Sequence, residues 1–410
     1  MVITKSRQTA GFLFHRFIYH RIYNINIMRN YDVIIIGAGA AGLAAAAQAQ
    51  SRGRRVAILD MGNVPARKVA ASGGGRCNFT NAAVSANRYF GQNPNFVRGA
   101  LARVTPDDIL DWARGHNISW TEKSPGQYFC AAGAAAAVDA LMHDVDNVDI
   151  FTNTFVQNVE HKNNEFIVST DNAQFISQSV IVATGGTSFP TLGVSDVGYK
   201  IARQFGHKII PVRPALCAIK TSIFDSQLAG ISLDVEITVG GERIRDAMLF
   251  THFGIGGPAV YRATVRDFDN LYINMAPGID VYDVLRVAKK TAGRKSVASV
   301  LSDILPARVA KWVCPDVRHI ADYRDDDIRK IAQRVNNIII PHNDIKLHGN
   351  ISAEVVRGGV DTAKVSSKTM ESKLCPGLFF AGEVLDIAGD LGGFNLHWAW
   401  ASGRVAGQNA

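Results

Sequence analysis

Tyr31-Asp32-Val33-Ile34-Ile35-Ile36-Gly37-Ala38-Gly39-Ala40-Ala41-Gly42 decides how the rest of the chain is read. Val33 to Ile36 is a continuous apolar run, as a strand buried on both faces requires. Gly37 permits a tight turn out of that strand. Gly39 removes a side chain where a phosphate must approach the backbone. Gly42 lets the following helix pack close to the sheet. Ala40 and Ala41 begin that helix, so their N–H groups and the positive end of its dipole face the phosphates. Arg55-Val56-Ala57-Ile58-Leu59-Asp60 then supplies a second strand ending in an acid. Its carboxylate stands where a ribose diol can be hydrogen-bonded. The unit predicts a dinucleotide cradle, and by itself leaves NAD and FAD open.

Two further segments favour FAD. Ser179 to Gly186 is an apolar strand running into a turn of small residues, Ala183, Thr184 and Gly185. Leu378 to Phe380 is another strand, followed by Gly382 and Glu383, whose carboxylate could bind a ribityl hydroxyl. Asp390-Leu391-Gly392-Gly393-Phe394-Asn395 then opens a C-terminal helix rich in small residues. Such a helix N-terminus can meet the electron-rich edge of a flavin.

These strings resemble the BaiN-like NAD(P)/FAD-dependent oxidoreductases, also described as aminoacetone oxidase-like FAD-binding enzymes. More distantly they are similar to fumarate reductase flavoproteins. The match is carried by Asp32–Gly42, Ser72–Asn81, Ala183–Gly186, Leu249–Pro258 and Gly382–Asn395. The resemblance implies FAD held by a Rossmann-like domain, with a small β-barrel and a helical insert beside it. It also implies reduction of unsaturated or oxidised organic substrates. One departure lies at Cys130 and the alanines after it, where relatives tend to carry Pro and Ser after the Phe.

Composition fits a well-cored chain of two or three domains: 410 residues, 47% hydrophobic and 20% charged. The formal charge of +8 divides unevenly. Residues 1–30 carry Lys5, Arg7, Arg16, Arg21 and Arg29 with no acid, so 8 − 5 leaves +3 for the remaining chain. No compact basic cluster with interleaved aromatics stands out there, so nucleic acid is not the expected partner. The basic extension is read as an upstream start, with Met28 as the native one. Cysteines at 77, 130, 217, 314 and 375 form no CxxC. With no secretory signal and no run of ~20 apolar residues, this predicts a reducing, cytoplasmic setting and no metal site.

The overall expectation is an α/β chain. A discontinuous Rossmann-like FAD-binding domain takes residues 31–207 and 351–410. A β-barrel-like domain takes 208–278 and 334–350, and a helical insert takes 279–333. Ser232 to Val239 alternates, Gly240-Gly241 turns, and Glu242 onward returns as a hairpin. Residues 61–82 read as an irregular arm, and 148–182 as a meander.

Chemistry is expected at two places. In the arm, Gly74 lets backbone run against a flat ring, Arg76 could bind an anion, and Asn78 could bond the flavin edge. Cys77 could touch the ring, although a buried thiol is the commoner role. At Thr251-His252-Phe253-Gly254, His252 is the candidate catalytic proton donor. No second dinucleotide fingerprint occurs, so NAD(P)H is expected only as a transient donor entering the substrate cleft. The predicted reaction is NAD(P)H-linked reduction of a small unsaturated or carbonyl compound. Competing readings are an amine oxidase, a flavin-dependent RNA-modifying enzyme and a non-catalytic flavin sensor.

Overall fold

The computed structural model describes residues 28–124, 126–349 and 353–410. Most of the basic extension lies outside them. Met28–Asn30 begin β1 (Met28–Ile36).

β1 pairs in parallel with β2 (Val56–Leu59) on one side and with the strand Gln174–Val182 on the other. Ile34 and Ile35 are completely buried, and each contributes about 1.5–3 kcal/mol of apolar burial. Their β-branched side chains suit a sheet covered on both faces. Asp149–Phe151 extends the parallel sheet beyond β2. It is therefore not part of the expected meander; only Val156–Lys162, Glu165–Thr170 and the start of Gln174–Val182 run antiparallel. Leu378–Phe380, some 200 residues later, completes the parallel set against Val180–Val182.

The helix α1 (Ala40–Ser51) follows β1 and is covered by the C-terminal helix Phe394–Asn409. Small residues at Gly403, Ala406 and Gly407 face α1 and let the two backbones approach. The parallel sheet and these helices share one apolar core.

A second core lies under an antiparallel sheet that forms a half-barrel. Its central hairpin is Ser232–Val239 with Glu242–Thr251, in register Val239 opposite Glu242 around the Gly240-Gly241 turn. Four helices, Val281–Thr291, Val297–Leu301, Ala307–Val313 and Asp325–Asn336, add their apolar faces to this core. The first is capped by Asp280, whose carboxylate accepts from the N–H groups of Tyr282 and Asp283.

The arm also differs from expectation. Residues Arg67–Gly75 are helical, with a kink at Ser72, Gly73 and Gly74. Arg67 to Ala71 are good helix formers; the glycine run ends the regular turns.

Candidate active site

Three strand ends meet at one edge of the parallel sheet. The Gly37 N–H donates to Leu59 O, the Ala183 N–H to Ile36 O, and the Ala381 N–H to Val182 O. The turns after β1, after Gln174–Val182 and after Leu378–Phe380 are thereby placed side by side. Gly37 has φ +111°, and a Cβ there would sit 2.5 Å from the Ala183 carbonyl oxygen. A Cβ on Gly42 would sit 1.9 Å from Gly37 O. Glycine is required at both positions by contact between turn, helix and neighbouring strand.

Gly39 differs in kind. It is the N-cap of α1, and a Cβ built on it meets nothing within 4 Å. Gly185, at the second strand end, is equally open. The first turn of α1 therefore faces space at its positive end, with Ala40 and Ala41 supplying the N–H groups. This is the arrangement a pyrophosphate needs.

Asp60 is nearly buried and braces this turn. Its Oδ2 accepts from Ala38 N–H at 2.7 Å, and its Oδ1 from Gly62 N–H at 2.7 Å and Arg67 Nη2 at 2.9 Å. The carboxylate expected at a ribose thus already has three donors. They hold it at the end of β2, beside the glycine turn.

The third strand end is tied to the arm. Lys68 Nζ donates to Glu383 Oε2 at 2.6 Å and to Ser188 Oγ at 2.7 Å. The Val356 N–H donates to Glu383 Oε1 at 2.9 Å. Gly382 donates its N–H to Ser402 Oγ on the C-terminal helix. Lys68, Ser188 and Arg67 had no sequence signal of a role, because their partners lie up to 315 residues away.

Gly74, in the kink, and Arg76, beyond it, are exposed, and the Arg76 guanidinium lies 5.3 Å from the centre of the Phe129 ring. Cys77 is fully buried, and desolvation pushes its thiol up to about 12. It is a small apolar residue of the core. Asn78 is half-buried; its Nδ2 donates to Gln127 Oε1 at 3.1 Å, while its Oδ1 is buried without a donor. That orphaned acceptor faces Gly393, where a Cβ would lie 2.7 Å from it. A buried acceptor at this turn suits the imide N–H of a flavin ring. The open phosphate turn and this acceptor together fit FAD.

The Asp390–Asn395 turn holds its shape through its own side chains. Asn395 Oδ1 accepts from Gly389 N–H at 2.7 Å, and Asn395 Nδ2 donates to Gly389 O. Phe394 is a core side chain, edge-on to Tyr89 at 6.2 Å. Any contact that Phe394 offers a cofactor is through its backbone. Asp390 is fully buried and lies 3.2 Å from Arg88, 3.3 Å from Arg266 and 3.6 Å from Arg262. Its carboxylate is therefore committed to guanidiniums, two of them from the half-barrel side of the molecule. His252 lies at the exposed two-residue turn between Glu242–Thr251 and Gly254–Gly256. His397 is buried, with Nδ1 2.8 Å from Thr80 Oγ1 and Nε2 2.9 Å from Val104 O. Desolvation lowers it to about 4, so the ring is neutral and structural.

The model of the HI0933-like protein Rossmann domain matches residues 31–409. The chain belongs to the HI0933-like family. Two curated relatives are named ribosomal RNA dihydrouridine synthase. The Escherichia coli (strain K12) protein is 37% identical over 93% of this chain and 98% of its own length. The Haemophilus influenzae protein is 39% identical over 90% and 96%. The 3-dehydro-bile acid delta(4,6)-reductase of Clostridium scindens is 30% identical over 92% and 98%. Family membership makes this chain an FAD-dependent oxidoreductase of Rossmann type. Among the described residues no helix is long and apolar enough to cross a membrane, and no cluster of His, Cys, Asp and Glu could hold a metal. All five cysteines are free and buried.

Proposed function

We propose that this enzyme reduces the C5=C6 bond of a uridine in ribosomal RNA, using NAD(P)H as the electron source. The observation that carries this reading is the likeness, over nine-tenths of both chains, to two relatives with that printed name. It weighs against the expectation of no nucleic-acid partner, which rested on charge balance and on the lack of a compact basic cluster with interleaved aromatics in the sequence. A uracil C5=C6 bond is conjugated to the C4 carbonyl. It is thus an unsaturated carbonyl compound, the chemistry expected from the sequence.

FAD, when bound, would supply the hydride chemistry for the pyrimidine C6. The chain's residues do the rest. Gly39, Ala40, Ala41 and Gly185 offer backbone to the phosphates. Asn78 Oδ1 and the Gly392-Gly393 turn hold the ring edge. Glu383, fixed by Lys68, stands at the third strand end for a ribityl hydroxyl. Asp60 keeps the glycine turn in place. His252 donates the proton that C5 gains. Two electrons and one proton leave NAD(P)H as hydride, and one proton comes from the histidine, giving dihydrouridine and NAD(P)⁺.

The test treats ribosomal RNA from cells lacking this gene with purified holoenzyme and NADPH or NADH under anaerobic conditions. Nucleoside mass spectrometry should show one uridine gaining two hydrogens. Unchanged RNA, with ready reduction of a free unsaturated ketone, would instead favour a small-molecule reductase like the third relative.

A further inference from the structure

The proposed substrate is a macromolecule, and the flavin residues alone do not say where it is held. The turn that carries His252 does. Phe253, the second residue of that turn, stacks on His348 with ring centres 4.0 Å apart and planes 8° apart. It is 38% exposed, so its ring is open to solvent. The platform is fixed rather than floppy, because the Thr221 N–H donates to Phe253 O at 3.0 Å and the Phe253 N–H to Thr251 Oγ1. A preformed stack costs little ordering entropy on binding.

Lysines flank it in the same sheet. Thr251 is opposite Gly254, Gly254 opposite Lys220, and Lys220 opposite Lys346. This one row of the antiparallel sheet therefore runs from the strand end at the aromatic turn to two lysines directly opposite each other. Both lysines are exposed. Like charges directly opposite each other disfavour strand pairing. Some other lysines do have acids beside them, as in Lys200 with Asp196 and Lys289 with Asp325. Among the described residues, no ion pair or hydrogen bond engages the side chain of either Lys220 or Lys346. Lysine is depleted from the centres of protein–protein interfaces, whereas aromatic rings interleaved with unpaired cations suit a single-stranded polynucleotide.

We infer that the Phe253–His348 stack and the Lys220–Lys346 pair form an RNA-binding surface, on which an unpaired base next to the target uridine stacks on Phe253 while the lysines take its flanking phosphates. This rests on the reading of the enzyme as an RNA reductase. It adds the surface that presents the substrate, and it implies that the target lies in a loop rather than a duplex.

The test measures binding of a fluorescein-labelled uridine-rich RNA hairpin loop, and of a fully paired duplex of the same length, to holoenzyme at several salt concentrations. Wild type should prefer the loop. F253A should weaken loop binding about five- to a hundredfold, and F253W should restore it. K220E/K346E should weaken it further and flatten the salt dependence by about two phosphates' worth. The visible flavin spectrum, unchanged in each variant, shows that the fold is retained. Wild-type loop affinity in F253A and in K220E/K346E would overturn the surface while leaving RNA reduction standing. Failure of the wild type to bind or reduce any RNA would overturn both. Equal affinity for loop and duplex would overturn the stacking role.

Discussion

Lys68 and Glu383 form an ion pair at 2.6 Å across 315 residues of chain, fastening the helical arm to the third strand end of the flavin domain. Glu383 is the more buried partner, and Ser188 and the Val356 N–H share its load. Replacing Lys68 by Met should free the arm and weaken FAD binding about five- to tenfold, roughly 1 kcal/mol for a partly exposed pair. Fluorescence titration of the apoprotein measures this. The double variant with Glu383→Gln should lose less than the sum of the single losses, since both act through one contact. Strict additivity would show that the pair is incidental to the cofactor.

Gly39→Asp separates cofactor binding from folding. A Cβ there meets no protein atom, and the added charge would stand at the turn proposed to hold the phosphates. Purified protein should be folded and colourless. Gly42→Ala, by contrast, drives a methyl into Gly37 O and should lower thermal stability. A yellow Gly39→Asp protein with full flavin content would remove the phosphate role from this turn.

His252→Ala should leave flavin content and its reduction by NAD(P)H intact while turnover falls about a hundredfold or more, the usual loss for a general acid. Stopped-flow separation of the two half-reactions reads this directly. Equal loss in both would make His252 a binding or folding residue.

Asp390→Asn removes the one full negative charge that Arg88, Arg262 and Arg266 share. Breaking a buried ion pair this way costs about 3–5 kcal/mol. Chemical denaturation followed by flavin fluorescence and by far-UV dichroism should both report the loss. A change below about 1 kcal/mol would place the cluster in solvent.

His397 gives the fold a defined acid sensitivity. Its pKa falls from 6.5 in the unfolded chain to about 4 in the fold. Above pH 6.5 both states are neutral and stability does not depend on this ring. Between 6.5 and 4 the unfolded chain takes a proton that the folded chain refuses, so stability falls as pH falls. The full loss is about 3 kcal/mol. Denaturation at pH 7.5 and 4.5 should show a smaller difference in His397→Gln than in wild type.

The parts of this protein legible in its sequence are those written in local pattern. The Tyr31–Gly42 unit reads at once because strand, turn and helix lie within a dozen residues. The Ser232–Thr251 hairpin reads because alternation and a Gly-Gly turn are adjacent. The helix start at Thr105-Pro106-Asp107-Asp108 is likewise written in adjacent residues, and the Thr105 hydroxyl accepts from Asp108 N–H. The partners of Asp60, Glu383 and Asp390 were not legible. Glu383 and Asp390 depend on residues brought in from elsewhere, 128 positions away for Arg262 and further for Arg88 and Lys68, while Asp60 is filled by neighbours within 22 positions whose approach depends on the turn. Sequence spacing gives the acid; only the folded chain shows whether its oxygens are already taken. The arm is hard to read because three glycines follow a short run, Arg67 to Ala71, in which only Val69 is a weak helix former.

Leu378–Phe380 and Phe394–Asn409 emerge during synthesis long after β1, β2 and the glycine turn. A growing chain makes the first strand end early, yet lacks the surfaces proposed to hold flavin until these later segments clear the ribosome. Cofactor capture therefore becomes a checkpoint on completion of the flavin domain. Ribosome-bound chains stopped before Gly392 should be flavin-free, and the same chains extended through Ala410 and released should acquire it.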